Sequence, residues 1–236
     1  MLQILLHNDL FIACNKPPGI ASQPDKTGDE CLLDMAERRT KRTLHLVNRL
    51  DRPVSGIALF AKTKAVMASF SEQFRDRTVE KVYLAVVQNE PESPEGTLVH
   101  FLQKNQVKNI SIAHAAEHPF SERAELHYKL IGKSDRYFLL EVRPITGKHH
   151  QIRAQLAAMG CPIKGDVKYG ARRSNPDRSI HLHAWKLEIE HPMSGERIAI
   201  TAPAPEDVVW NALLGIEAPS KAVAVEEDIT HDKIGE

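Results

Sequence analysis

Ile57-Ala58-Leu59-Phe60-Ala61 runs without a polar side chain. So short an apolar run predicts a buried strand. Just beyond it, Val66, Met67, Phe70 and Phe74 fall at helical spacing, which predicts a helix over 64–75 with Thr63 as its N-cap. An aromatic and Met stripe of this kind is core packing. Residues 79–87 alternate and are rich in β-branched side chains, so they predict a strand. Upstream, 4–6 and 10–14 predict two short strands around a turn at His7-Asn8-Asp9. Asn15-Lys16-Pro17-Pro18-Gly19 predicts a rigid loop. Residues 31–42 predict a helix, with Cys31, Leu32, Met35 and Ala36 on one face and arginines on the other.

Residues 88–120 are rich in Pro, Glu and His and only weakly periodic. They read as a surface insertion with one short strand near 97–102. Paired strands are predicted over 123–131 and 137–142, around Gly132-Lys133-Ser134-Asp135. A helix over about 148–159 follows, with Ile152, Leu156 and Met159 as its apolar face and Gly160 as its stop. Strands at 180–189 and 196–201 and a closing helix over 204–214, ended by Gly215, complete the body.

The length, 236 residues, allows one large domain or two small ones. No apolar run approaches the roughly 20 residues of a membrane span. The first nine residues lack a basic segment and read as a strand, not a signal peptide. Cys14, Cys31 and Cys161 are odd in number and without paired spacing, which favours a reducing, cytoplasmic setting and no zinc. Zero formal charge argues against a nucleic-acid partner, but the distribution changes this. Residues 217–236 carry six acidic residues and two lysines; 1–216 carry 29 Lys and Arg against 25 Asp and Glu. We expect a folded body over 1–215 and a disordered acidic tail over 216–236. Basic clusters stand at Arg38-Arg39-Thr40-Lys41-Arg42 and at Arg172-Arg173 with Arg178.

One carboxylate is framed by arginines: Asn48-Arg49-Leu50-Asp51-Arg52, then Ser55-Gly56. Pro53 stops a helix here and Gly56 permits a tight turn, so Asp51 is expected in a stiff connection ahead of the buried strand. On these residues alone, a structural ion-pair cluster is the simpler reading, as packing is for Tyr83. His149-His150 and His181-x-His183 tempt a metal reading. Neighbours on a helix diverge by about 100°, and no Cys or carboxylate set completes a site, so no metal is expected.

The phrase around Asp51 resembles the signature of the RluA-type pseudouridine synthases, approximately H-R-L-D-x-x-[ST]-S-G. Asn48 departs from it where the family usually has His. Asn15-Lys16-Pro17-Pro18-Gly19 resembles the family's opening N-K-P-x-G, and Lys81-Val82-Tyr83-Leu84-Ala85 its K-x-Y-x-A. The stretch from Pro144 to Gln155 resembles P-x-T-G-R-x-H-Q-[IL]-R-x-H, with Lys148 for the usual Arg and Gln155 for the usual His. Gly165-Asp166-x-x-Tyr169-Gly170, His183-Ala184 and His191-Pro192 are also family-like. The resemblance covers about 3–205 and shows no basic S4-like domain ahead of it.

The resemblance implies that Asp51 is the essential catalytic residue and that Arg49 fills the site of the displaced base. It implies that Tyr83 stacks on that base, that Ile152 lines its pocket and that Arg153 pairs with Asp51. Arg52, Lys148 and His150 are expected to bind substrate; Lys16 is given no catalytic role. The implied fold is α+β, a large, mixed, mostly antiparallel sheet flanked by helices around a central cleft. The implied reaction isomerises specific uridines in structured rRNA or tRNA, through base flipping, in a monomer without cofactor, metal or membrane. The alternatives are a catalytically silent RNA-binding or RNA-folding protein of this fold, and a glycoside hydrolase, which needs a second catalytic carboxylate.

Overall fold

The computed structural model describes residues 2–215, so the tail expected over 216–236 lies outside the described residues. The chain opens with β1 (Gln3–His7), β2 (Phe11–Lys16), α1 (Leu32–Thr40), β3 (His45–Leu46), β4 (Ser55–Ala61) and α2 (Lys64–Asp76). The middle is all strand: β5 (Glu80–Val87), β6 (Glu95–Asn105), β7 (Ile110–His114), β8 (Ser121–Lys133) and β9 (Phe138–Pro144). Then come α3 (Gln151–Ala158), a 3-10 turn (Val167–Tyr169), β10 (Leu182–Glu190), β11 (Arg197–Thr201) and α4 (Val208–Leu214). The strands form one sheet in the order β1-β2-β4-β10-β5-β9-β8-β6-β7, with β3 beside β4 and β11 beside β10. All pairings are antiparallel except β4 with β10, as expected of a mixed, mostly antiparallel sheet.

The unbroken apolar run of β4 follows from burial on both faces. Ile57 and Leu59 pack with Val66 and Phe70 of α2, while Ala58 and Phe60 pack with Leu32 and Ala36 of α1. Phe70 meets Phe11 edge to face at 5.3 Å between centroids. Burying either ring contributes about 1.5–3 kcal/mol. Thr63 caps α2, its hydroxyl accepting the Val66 N–H at 3.2 Å. Met67 alone of the predicted stripe faces outward, 36% exposed. The next layer alternates: Leu84 and Val86 of β5 pack against Trp210 and Leu213 of α4, while Ala85 and Val87 face Ile152 and Leu156 of α3. Tyr83 packs on the α3 side, and that is where the site forms.

Four local expectations are corrected. Gly56 makes no turn. It lies inside β4 at φ +114, where an added Cβ meets the Ala184 carbonyl oxygen at 2.3 Å, so glycine permits the parallel approach of β10. Residues 88–120 are not an insertion but the outer sheet, β6 pairing with β8 from Glu95 to Gln103. Strands at a sheet margin carry polar side chains and blur the period. Asn15 and Lys16 end β2, so the predicted loop starts at Pro17. The helix expected from 148 starts at Gln151, because His150 is left-handed (φ +51) and the Gln151 side chain accepts the Lys148 N–H at 2.9 Å.

Candidate active site

The connection carrying Asp51 is tied down at nearly every residue. The Asn48 side chain acts as an extra rung on β4, its amide donating to Ile57 O at 3.1 Å and its oxygen accepting Leu59 N–H at 2.7 Å. That is the hydrogen bonding built where the family usually has His. Ser22 Oγ accepts the Leu50 N–H at 3.0 Å and donates to the Leu50 carbonyl at 2.8 Å. Val54 N–H donates back to Asp51 O at 3.0 Å, closing a turn, and Pro53 O accepts Ile180 N–H at 3.1 Å. Beneath it Lys16 is fully buried, its Nζ on the carbonyls of Ile20 (2.7 Å), Pro17 (3.0 Å) and Arg52 (3.1 Å). Burial pulls its pKa down to about 7 and the charge of Asp51 opposes this. Three carbonyls match the three donors of an ammonium, so Lys16 is a tie between loops.

Arg153 of α3 donates through Nη1 to Asp51 Oδ2 at 2.9 Å. Its other edge grips Asp166, Nε to Oδ2 at 2.7 Å and Nη2 to Oδ1 at 2.8 Å. Burial alone would lower the Arg153 pKa; the hydrogen bonds and charge of Asp166, joined by Asp51, reverse this and raise it. The guanidinium lies 5.0 Å from the centre of the Tyr169 ring. Residues a hundred positions apart thus meet.

They meet at a small, open cavity of about 130 Å³. Its lining includes Asp51, Tyr83, Ile152, Arg153, Arg49, Lys148 and His150. Arg49 is exposed at the rim, and Lys148 pairs with Glu122. Burial, then the negative charge of Asp51, pushes the Tyr83 hydroxyl up to about 12, so it stays protonated. Arg52 is the exception among the expected site residues. It turns away from the cavity onto Asp25 at 2.8 and 2.9 Å, Asp29 at 2.9 Å and Thr27 Oγ at 2.7 Å. Two carboxylates outcompete an open cavity for one guanidinium.

Sequence reasoning missed Asp166, 1% exposed, which holds Arg153, and Tyr169, whose hydroxyl lies 2.9 Å from Nδ1 of His150. Both stand in the phrase Gly165-Asp166-x-x-Tyr169-Gly170, the one signal that could have found them. It also missed Lys81, a further cavity-lining cation. His181 and His183 have both ring nitrogens engaged within the protein. His181 meets Asn175 and Asp207, each at 3.0 Å; His183 meets Ser55 Oγ at 2.9 Å and Ala202 O at 3.1 Å. The second carboxylate near Asp51 is Asp166, buried with both oxygens on Arg153, so it cannot serve as the acid partner of a hydrolase.

Residues 10–158 match the family model described as RNA pseudouridylate synthase. The chain is 32% identical over 222 residues to ribosomal large subunit pseudouridine synthase C of Vibrio parahaemolyticus, covering 90% of this chain and 69% of that protein. The Pasteurella multocida protein of that name is also 32% identical, and the chain covers 64% of it, less than two thirds. Against tRNA pseudouridine synthase C of Yersinia pestis the identity is 28%, over 91% of this chain and 90% of the relative. Human RNA pseudouridylate synthase domain containing 1 shares the fold with TM-score 0.75, at 23% identity over 92% of this chain and 87% of that one. With the fold, the framed carboxylate and the matched motifs in agreement, the chain belongs to the RNA pseudouridylate synthase family.

Proposed function

We propose that this chain isomerises uridine to pseudouridine in structured RNA, with Asp51 as the reacting carboxylate. The observation that carries this is Asp51 at a cavity wall, paired with Arg153 and facing a space lined by Tyr83 and Ile152. The reaction breaks the N1–C1′ bond, turns the uracil and joins C5 to C1′, the proton lost from C5 being balanced by one gained at N1. No electrons are gained or lost, so no redox cofactor is required. Positive charge develops at C1′ as the glycosidic bond breaks, and the Asp51 anion stabilises or captures it. A uridine in structured RNA must first leave its stack. Arg49, at the rim, then fills the gap, while Tyr83 and Ile152 hold the base. Tyr83 stacks as a neutral phenol.

The named relatives act on ribosomal and transfer RNA, and both classes are candidate substrates here. A second cleft lined by Arg136, Lys164, Arg172 and Arg173 offers positive charge for RNA phosphates. Arg52, tied to Asp25 and Asp29, braces the connection between β2 and α1 instead of touching RNA. The proposed active form is the monomer. Three free, buried cysteines and an RNA substrate fit the cytoplasm. Among the described residues no helix is long and apolar enough to cross a membrane.

The test is pseudouridine mapping, by carbodiimide-blocked primer extension, on RNA from cells lacking the gene before and after adding the purified protein. New stops are expected with the native chain and none with Asp51→Asn, whose RNA affinity should change by less than about tenfold. Binding without any stop from the native chain would identify a silent RNA-binding protein instead.

A further inference from the structure

The phrase Gly165-Asp166-x-x-Tyr169-Gly170 sends two side chains to the back of the cavity. Asp166 holds Arg153, as described. Tyr169 Oη accepts the backbone N–H of Ser111 in β7 at 2.7 Å and lies 2.9 Å from Nδ1 of His150. On its other side His150 places Nε2 3.3 Å from Asp51 Oδ2. The ring has little freedom. Its side chain is 6% exposed, its backbone is left-handed at φ +51, and His149 stacks on it at 3.8 Å between centroids.

The hydrogens along this chain have one consistent placement. An ionised carboxylate only accepts, so the nitrogen facing Asp51 must carry a hydrogen. Burial pulls the His150 pKa down to about 3, against the opposing charge of Asp51. The imidazole is therefore neutral at physiological pH, with one N–H. That hydrogen is on Nε2, so Nδ1 is an acceptor and Tyr169 is its donor. The Ser111 N–H turns the phenol oxygen for this task.

We propose that His150, held in the Nε2–H tautomer by Tyr169 and Ser111, is a positioning residue for Asp51. Arg153 donates to Oδ2 and His150 faces that same oxygen, while among the described residues no hydrogen bond or ion pair reaches Oδ1. Oδ1 is therefore the oxygen presented to the substrate. The 3.3 Å approach is a charge–dipole contact without hydrogen-bond alignment here, and catalytic contacts often align only when substrate is bound. This role rests on the assignment of Asp51 above, and it differs from the direct substrate contact expected of His150.

The first arm of the test needs no activity. In the 15N-histidine-labelled full chain, His150 is assigned by the signal that His150→Gln removes. We expect a protonated Nε2 and a bare Nδ1 across roughly pH 6–8. A doubly protonated ring, or the Nδ1–H tautomer, overturns the proposal. The second arm is single-turnover pseudouridine formation on RNA from cells lacking the gene. Tyr169→Phe should slow it by about tenfold or more, with RNA affinity held within about threefold. His150→Gln keeps an amide donor for Asp51 and should exceed His150→Leu by at least about tenfold. Tyr169→Phe at the native rate, or equal loss in the two His150 variants, overturns the proposal. Should His150→Leu fail to fold, the tautomer and Tyr169→Phe still decide. A native chain that forms no pseudouridine sinks the functional reading, while the first arm continues to decide the tautomer.

Discussion

Arg153 does two jobs that mutation can separate. It orients Asp51 and it neutralises the buried Asp166. Arg153→Met leaves Asp166 buried without its cation, a loss of about 3–5 kcal/mol in stability, along with loss of turnover. Adding Asp166→Leu should restore most of the denaturation midpoint and none of the turnover. Arg153→Lys keeps charge without the two-edged fork and should recover only part of either. Recovery of turnover in the double variant would show that Arg153 does not act on Asp51. Tyr83 gives a cleaner contrast. Tyr83→Phe keeps the ring and should hold RNA affinity, whereas Tyr83→Ala should lose about 1–3 kcal/mol of base stacking in a binding titration. Equal affinity in the two variants would make Tyr83 a packing residue only.

Among the elements, the β4–β10 junction matters most, because it is the parallel seam that sets Asp51 beside the α3 face. Gly56 is the residue that lets it close. Gly56→Ala forces a Cβ into the Ala184 backbone, which cannot give way as a flexible side chain could. We expect a loss of several kcal/mol, above the roughly 1–3 kcal/mol of ordinary overpacking, read as a fall in the denaturation midpoint. A midpoint near the native value would mean that the two strands part at no cost. The outer pair β6–β7 shows the opposite situation for a reader of sequence. Its side chains are mostly exposed or half-buried, yet Gln155 of α3 reaches Leu98 O at 3.0 Å and Ser111 of β7 holds Tyr169. Those contacts, not periodicity, make the segment part of the site.

For the whole molecule the buried histidines contribute to the loss of stability in acid, beside carboxylates such as Asp25 that are held below their ordinary range. Burial holds His183 down at about 4 and His150 at about 3, while an unfolded histidine protonates near 6.5. Between those values the unfolded chain binds more protons than the folded one, so stability falls as pH falls. His183, fully buried against Ser55 and Ala202, contributes on the order of 2–3 kcal/mol to this loss. His150 adds to it with the same sign. Thermal midpoints measured from neutral pH down to about pH 4.5 should therefore drop, and less steeply for His183→Gln. An identical slope in that variant would show that His183 is not held neutral.

The local order of the chain was written in its sequence. Thr63 ahead of an apolar stripe makes a capped helix wherever it occurs, and the run from Ile57 to Ala61 makes a buried strand. The framed Asp51, Tyr83 and Arg153 could be read from motifs, because each stands in a short phrase with fixed spacing. What sequence could not decide was partnership across distance. Arg52 stands next to Asp51, yet closer carboxylates at Asp25 and Asp29 take it from the cavity. Arg153 stands far away, yet the sheet brings it to 2.9 Å. Asp166, Tyr169 and Ser111 carry no catalytic signature, since a supporting role belongs to whichever donor or acceptor the fold sets behind the reacting group. Gly56 read as a turn because glycine permits many conformations; only the neighbouring strand shows which one is used. Spacing along the chain determined the elements and the phrases that carry the candidate groups, and packing between elements decided which charges meet.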